Sequence, residues 1–168
     1  MGPFPHASIF RTYPVLIAVS DTPRRVATPP QMGTRILIAD DHELVREGLR
    51  SVLARHAGWE VCAEAESGDE AVAMAAVLKP DLIILDLLMP RMDGLEAARH
   101  IRKIAPGLPI ILHTLYLSPE VESAAHQIGI RKVAWKNNST ALIAQIEELF
   151  AGTPLQCSQP AGHAQPLP

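Results

Sequence analysis

The sequence predicts a doubly wound parallel α/β sheet, and three observations predict it. Short apolar runs alternate with amphipathic stretches from residue 34 to about 150. The segments between them are short and carry turn or capping residues. The apolar runs end in polar or charged residues, aspartate in two of the five. Strands alternating with helices on short loops require a parallel sheet with helices on both faces.

Each element can be justified in order. Ile36-Leu37-Ile38-Ala39 is an apolar run stopped by Asp40-Asp41, as a buried parallel strand reads. From Glu43 the period turns helical, with Val45, Leu49, Val52 and Leu53 on one face and Gly58 closing the segment. Trp59 to Ala65 alternates as a second strand. Ser67-Gly68-Asp69-Glu70 has capping-box spacing and opens a helix to about Leu78, where Lys79-Pro80 stops it.

Leu82-Ile83-Ile84-Leu85 is a third strand and ends in Asp86. A loop with Pro90 and Asp93-Gly94 leads into a third helix reaching Ile104. Ile110-Ile111-Leu112 is the fourth strand, finishing at His113-Thr114. Ser118-Pro119-Glu120 is a helix start with a serine cap and a first-turn proline, followed by the stripe Val121, Ala124, Ala125 and Ile128. Val133-Ala134-Trp135 is the fifth strand and leads to Lys136. The last helix turns Leu142, Ile143, Ile146, Leu149 and Phe150 inward. Five such strands and five helices make a flavodoxin-like arrangement.

The flanks differ. Residues 1–33 are proline-rich without a sustained period and are expected to form a flexible leader. Residues 34–150 are the folded domain, and 151–168 are expected to be a disordered tail. Met32 directly precedes the domain, so residues 1–31 read as an upstream extension. The net charge of −3 gives no basic footprint for nucleic acid. Cys62 and Cys157 lack metal or disulfide spacing, and no apolar run approaches a membrane span. A cytoplasmic protein is expected, without direct nucleic-acid or membrane contact.

Function is legible at the strand ends. Strand one ends in Asp40-Asp41, strand three in Asp86, strand four in Thr114 and strand five in Lys136. In an open parallel sheet, ligands sit outside the carboxyl ends of the strands. Singly, these residues would read as a helix cap, a strand-end hydroxyl and a solvated lysine; jointly, they read as a site. Clustered carboxylates repel unless a cation compensates, and Mg²⁺ suits carboxylates, a carbonyl, waters and a phosphate oxygen. A carboxylate can also accept a phosphoryl group, with a hydroxyl and an ammonium to steady it.

Residues 35–150 resemble a response-regulator receiver domain. The matching segments are Ile36 to His42, Leu85-Asp86-Leu87-Leu88-Met89-Pro90-Arg91-Met92-Asp93-Gly94, Leu112-His113-Thr114 and Trp135-Lys136. Ala39 to Leu49 is further similar to the branch that usually adds a C-terminal LuxR-type helix-turn-helix, for which residues 151–168 are too few. The resemblance implies that Asp86 takes a phosphoryl group from a sensor histidine kinase. It implies Mg²⁺ on Asp41, Asp86 and the Leu88 carbonyl, with Asp40 acting largely through a coordinated water. Thr114 and Lys136 would contact the phosphoryl group and transmit its arrival. The partners implied are the kinase and an output protein, with pairing to a second copy of the chain left open. It would be no enzyme beyond its own phosphorylation and dephosphorylation.

Three positions depart from the usual receiver pattern. Val133 stands where many receivers carry an aromatic, Asn137-Asn138 follow Lys136, and Leu115 follows Thr114. Asp93 is expected to cap helix three with Glu96 in the reciprocal place. His42, His113 and His126 are expected to be surface or satisfied histidines, and Met89 and Met92 to pack beneath the loop. The rival readings are an aspartyl-phosphate hydrolase, a phosphorylation-independent pseudo-receiver and a truncated transcriptional regulator. The first needs an acid two residues after Asp86, where Leu88 stands.

Overall fold

A computed structural model describes residues 33–151. The expected leader and tail lie outside the described residues, save for Gly33 and Ala151 at the two ends. Strands and helices alternate as β1 (Thr34–Ala39), α1 (Glu43–Leu53), β2 (Trp59–Ala65), α2 (Gly68–Leu78), β3 (Leu82–Asp86), α3 (Gly94–Ile104), β4 (Ile110–Thr114), α4 (Pro119–Gln127), β5 (Lys132–Trp135) and α5 (Ser139–Phe150). The sheet order is β2-β1-β3-β4-β5, with every neighbouring pair parallel.

The strand period of two divides the core. Leu37, Ala39, Ile83, Leu85 and Leu112 face α2 and α3, meeting Ala71, Ala75, Ala97 and Ile101. Ile36, Ile38, Ile84 and Ile111 face the opposite way, meeting Leu49, Leu53, Leu142 and Ile146 of α1 and α5. Both faces of β3 are therefore buried, which is why Leu82 to Leu85 is an unbroken apolar run. The β1–β2 register shifts between Ile36 and Leu37, leaving Cys62 without a partner in the ladder. Among the described residues, no helix is long and apolar enough to cross a membrane.

Local signals hold at most helix starts. Asp93 Oδ1 accepts from the Glu96 amide at 2.8 Å, and Ser118 Oγ from the Val121 amide at 3.3 Å. Ser67 differs from expectation. It stands at the start of α2 but makes no capping bond. Its hydroxyl instead accepts from Arg91 Nη2 at 2.6 Å, while Glu70 accepts from the Glu66 amide at 3.0 Å. A strong donor from a distant loop has displaced the local capping box.

Candidate functional site

The chain turns to opposite sides after β1, placing β2 on one flank and β3 on the other. The carboxyl ends of β1 and β3 thereby border the switch point of a doubly wound sheet. Asp40 follows β1 and is 1% exposed; Asp86 ends β3 and is 4% exposed; Thr114 ends β4 and is fully buried. Lys136 follows β5, its amide donating to the Thr114 carbonyl at 3.0 Å. That bond extends the β4–β5 ladder by one step and aims the lysine inward.

The Lys136 ammonium lies 2.7 Å from Asp40 Oδ2 and 2.9 Å from Asp86 Oδ2. One cation thus bridges two buried carboxylates. Asp86 Oδ1 accepts from the Leu87 amide at 2.7 Å, and Asp40 Oδ1 from the His42 amide at 3.0 Å. Burial pushes the Asp86 carboxyl above its ordinary pKa, against the opposing pull of Lys136. Burial also disfavours the Lys136 ammonium, but its bonds to Asp40 and Asp86 outweigh this and raise it. The lysine is held charged.

Of the residues expected from sequence, Asp40, Asp86 and Lys136 are therefore in direct contact, with Thr114 joined through the backbone. Thr114 Oγ1 accepts from the Tyr116 amide at 3.0 Å, leaving its own proton free to donate elsewhere. Asp41 is adjacent, and its Oδ1 lies 2.7 Å from His42 Nδ1. Leu88 sits on the loop after β3 with its side chain 51% exposed. Met89 and Met92 pack against the core under that loop, as expected.

The residues fit a hard divalent cation. Asp40 Oδ2 is buried and faces the Lys136 ammonium at 2.7 Å. Donor atoms of Asp40, Asp41 and His42 come within 4.8 Å of one another. Mg²⁺ prefers oxygen, so the two carboxylates are the ligands of interest and His42 orients Asp41. Asp86 lies outside that trio, its oxygens taken by Lys136 and the Leu87 amide.

Two residues escaped the sequence reading. Arg46, buried in α1, donates to the Asp40 carbonyl at 2.8 Å, to Glu66 at 2.8 Å and to Glu64 at 3.3 Å. It pins the turn that carries the acidic pair to the end of β2. Its place on the inward side of α1, one residue after Val45, was the available signal. Arg46→Met is expected to cost about 2 kcal/mol, from charged hydrogen bonds lost and a carbonyl left unpaired. Urea unfolding would show this as a lower midpoint at unchanged slope.

His113 is the second, and it corrects the expectation of a surface or satisfied ring. It is buried, and its Nδ1 has no hydrogen-bond partner. Burial, with Lys136 nearby and Asp40 opposing, lowers its pKa from 6.5 to about 4. The unfolded chain then binds a proton that the folded chain refuses between those values. The contribution of His113 is complete above pH 6.5, and about 3 kcal/mol of stability is expected to be lost as pH drops towards 4. His113→Leu should remove that part of the slope in stability measured against pH.

Comparison with known proteins agrees with this geometry. Residues 36–147 match the response regulator receiver domain. The response regulator VraR of Staphylococcus aureus is 40% identical over 113 residues, spanning 67% of this chain and 54% of the relative. The chain thus spans about half the length of the curated relatives it matches. A two-component response regulator of the LuxR family from Aurantimonas sp. SI85-9A1 superposes with TM-score 0.67 at 34% identity, over 71% of this chain and 86% of that one. The response regulator domain of Thermotoga maritima CheB gives 0.67 at 25% identity, over 73% and 99%. With buried acids and a lysine converging at the switch point of a β2-β1-β3-β4-β5 sheet, and with relatives in the LuxR branch, the chain belongs to the response regulator receiver domain family.

Proposed function

We propose that the chain is the phosphoacceptor of a two-component relay, with Asp86 as the accepting residue. The observation carrying this reading is the Lys136 ammonium held between two buried carboxylates, 2.7 Å from Asp40 and 2.9 Å from Asp86. A lysine solvated at a loop would not be drawn in this way, and a plain core would not bury two acids.

An Asp86 oxygen attacks the phosphorus of a phosphohistidine on a sensor kinase. The P–N bond breaks, the imidazole nitrogen leaves with the bonding pair, and an aspartyl phosphate remains. Asp41, Asp86 and the Leu88 carbonyl would hold Mg²⁺ directly and Asp40 largely through a coordinated water, and the cation would supply charge neutralisation for the phosphoryl oxygens. Lys136 exchanges its contact with Asp86 for one with the phosphoryl group. The free proton of the Thr114 hydroxyl supplies a further donor. Both residues end or follow strands beside α4 and α5, so their shift biases a two-state equilibrium on that side. A shift from mostly off to mostly on needs about 5.5 kcal/mol of differential stabilisation.

The chain acts in the cytoplasm through the kinase, an output protein and a second copy of itself, without direct contact to nucleic acid. Incubation with acetyl phosphate and Mg²⁺, read by intact-mass spectrometry, tests the chemistry. One phosphoryl addition is expected, dependent on Mg²⁺ and absent in Asp86→Asn. No addition to a folded wild type would favour an interaction module that works without phosphorylation.

A further inference from the structure

Arg91 has a left-handed backbone, φ 66°, in the loop between β3 and α3. A side chain with a β-carbon disfavours that region, and glycine enters it without cost. An arginine kept there points to work done by its side chain. Arg91 reaches three groups at the start of α2. Its Nη2 donates to Ser67 Oγ at 2.6 Å and to Glu70 at 3.3 Å, and its Nε lies between the two Asp69 oxygens at 3.1 and 3.3 Å.

The same loop is pressed against α2 beside this contact. A β-carbon on Gly68 would meet the Met92 carbonyl at 2.4 Å, so backbone rests on backbone there. The loop is closed on its other side by the Gly94 amide, which donates to the Leu87 carbonyl at 2.9 Å. Between these fixed points Leu88 and Pro90 are exposed, Met89 packs against the core, and the Pro90 carbonyl accepts from the Met92 amide at 2.8 Å. Ser67 is fully buried and forgoes its capping bond to serve the arginine, so the contact is anchored in the core.

We propose that Arg91 is a positioning residue that latches the β3–α3 loop to the start of α2 and thereby fixes the Leu88 carbonyl for the cation. The inference rests on the reading of Asp40, Asp41, Asp86 and Leu88 as the cation's ligands. The latch carries no ligand atom itself. Its effect belongs to cation affinity and loop order, and the transfer step at saturating Mg²⁺ should be left almost intact.

Two variants separate the latch from the backbone. Arg91→Gly removes the side chain and relieves the left-handed backbone; Asp69→Asn removes the negative charge that accepts from Arg91 Nε and leaves the backbone untouched. Amide hydrogen exchange at Met92 and Gly94 in the Mg²⁺-free protein reports the loop. A Mg²⁺ titration followed by amide shifts of Asp40, Asp41 and residues 86–88 reports the site.

Both variants are expected to exchange faster at those amides and to bind Mg²⁺ about 10-fold more weakly, with unchanged urea midpoints for the domain. The double variant should be no worse than the single ones, because one contact is removed twice. Arg91→Gly equal to wild type in exchange and affinity would overturn the latch. Faster exchange with unchanged Mg²⁺ affinity would overturn the positioning role. If the wild type shows no Mg²⁺-dependent shifts, the ligand reading fails and the positioning role fails with it. The Mg²⁺-free exchange would still decide separately whether the latch exists.

Discussion

Gly94→Ala is expected to destabilise the domain by about 4 kcal/mol, among the larger effects a single methyl group can have. A β-carbon at this position would lie 2.0 Å from the Asp86 carbonyl oxygen, 2.9 Å from its carbon and 3.1 Å from the Leu87 Cα. All three atoms are backbone, so no side chain can swing aside. Either α3 or the end of β3 must retreat, and both are packed into the core through Ala97, Ile101 and Leu85. Retreat would also stretch the Gly94–Leu87 bond of 2.9 Å and displace Asp86, the proposed phosphoacceptor. Thermal and urea unfolding would read the loss. A variant that stays folded should also take up phosphoryl groups from acetyl phosphate more slowly than wild type. Unchanged stability would show that α3 can move away from the end of β3 without loss of packing.

Lys136→Met is the other large effect, expected at about 3 to 5 kcal/mol near pH 7. Methionine keeps the volume and removes the cation, leaving Asp40 and Asp86 buried without a countercharge. Burial already lifts the Asp86 carboxyl, and without the lysine only the Leu87 amide opposes it. A carboxyl lifted in the folded state binds its proton more tightly there than in the unfolded chain. The variant should therefore approach wild type at acid pH and fall behind as pH rises through the folded-state value. The lysine gives the wild type a matching feature at the other end. Its raised pKa means that its contribution is complete below 10.5 and is lost as pH climbs through the folded value. Mg²⁺ should recover part of the variant's stability by replacing the missing charge. Unfolding curves from about pH 3 to 11, with and without Mg²⁺, would check these statements. A gap that does not vary with pH would show that the carboxylates do not depend on this lysine.

Much of the domain was legible because burial writes itself into local periodicity. Leu82 to Leu85 is apolar throughout because both faces of β3 are covered. Asp93 and Ser118 cap their helices through bonds three residues long, which sequence order alone can supply. Asp40, Asp86, Thr114 and Lys136 were identifiable because a parallel sheet delivers every strand end to one edge, and these residues follow apolar runs directly.

What tertiary structure decided is whom each polar group meets. Ser67 has the spacing of a capping box, yet its hydroxyl serves Arg91 from 24 residues further along. Arg46 reads as one charge in an amphipathic helix until β2 brings Glu64 to its guanidinium. His113 looks like any strand-end histidine until the closed sheet buries it near Lys136. Gly94 looks like a turn residue until α3 meets the carbonyl of Asp86. The sequence by itself determined the elements, their order and the polar groups at the strand ends, because apolar patterning depends on a residue's own burial. Only the fold decided the pairings and close approaches, because their energy resides in contacts between segments that local pattern does not relate.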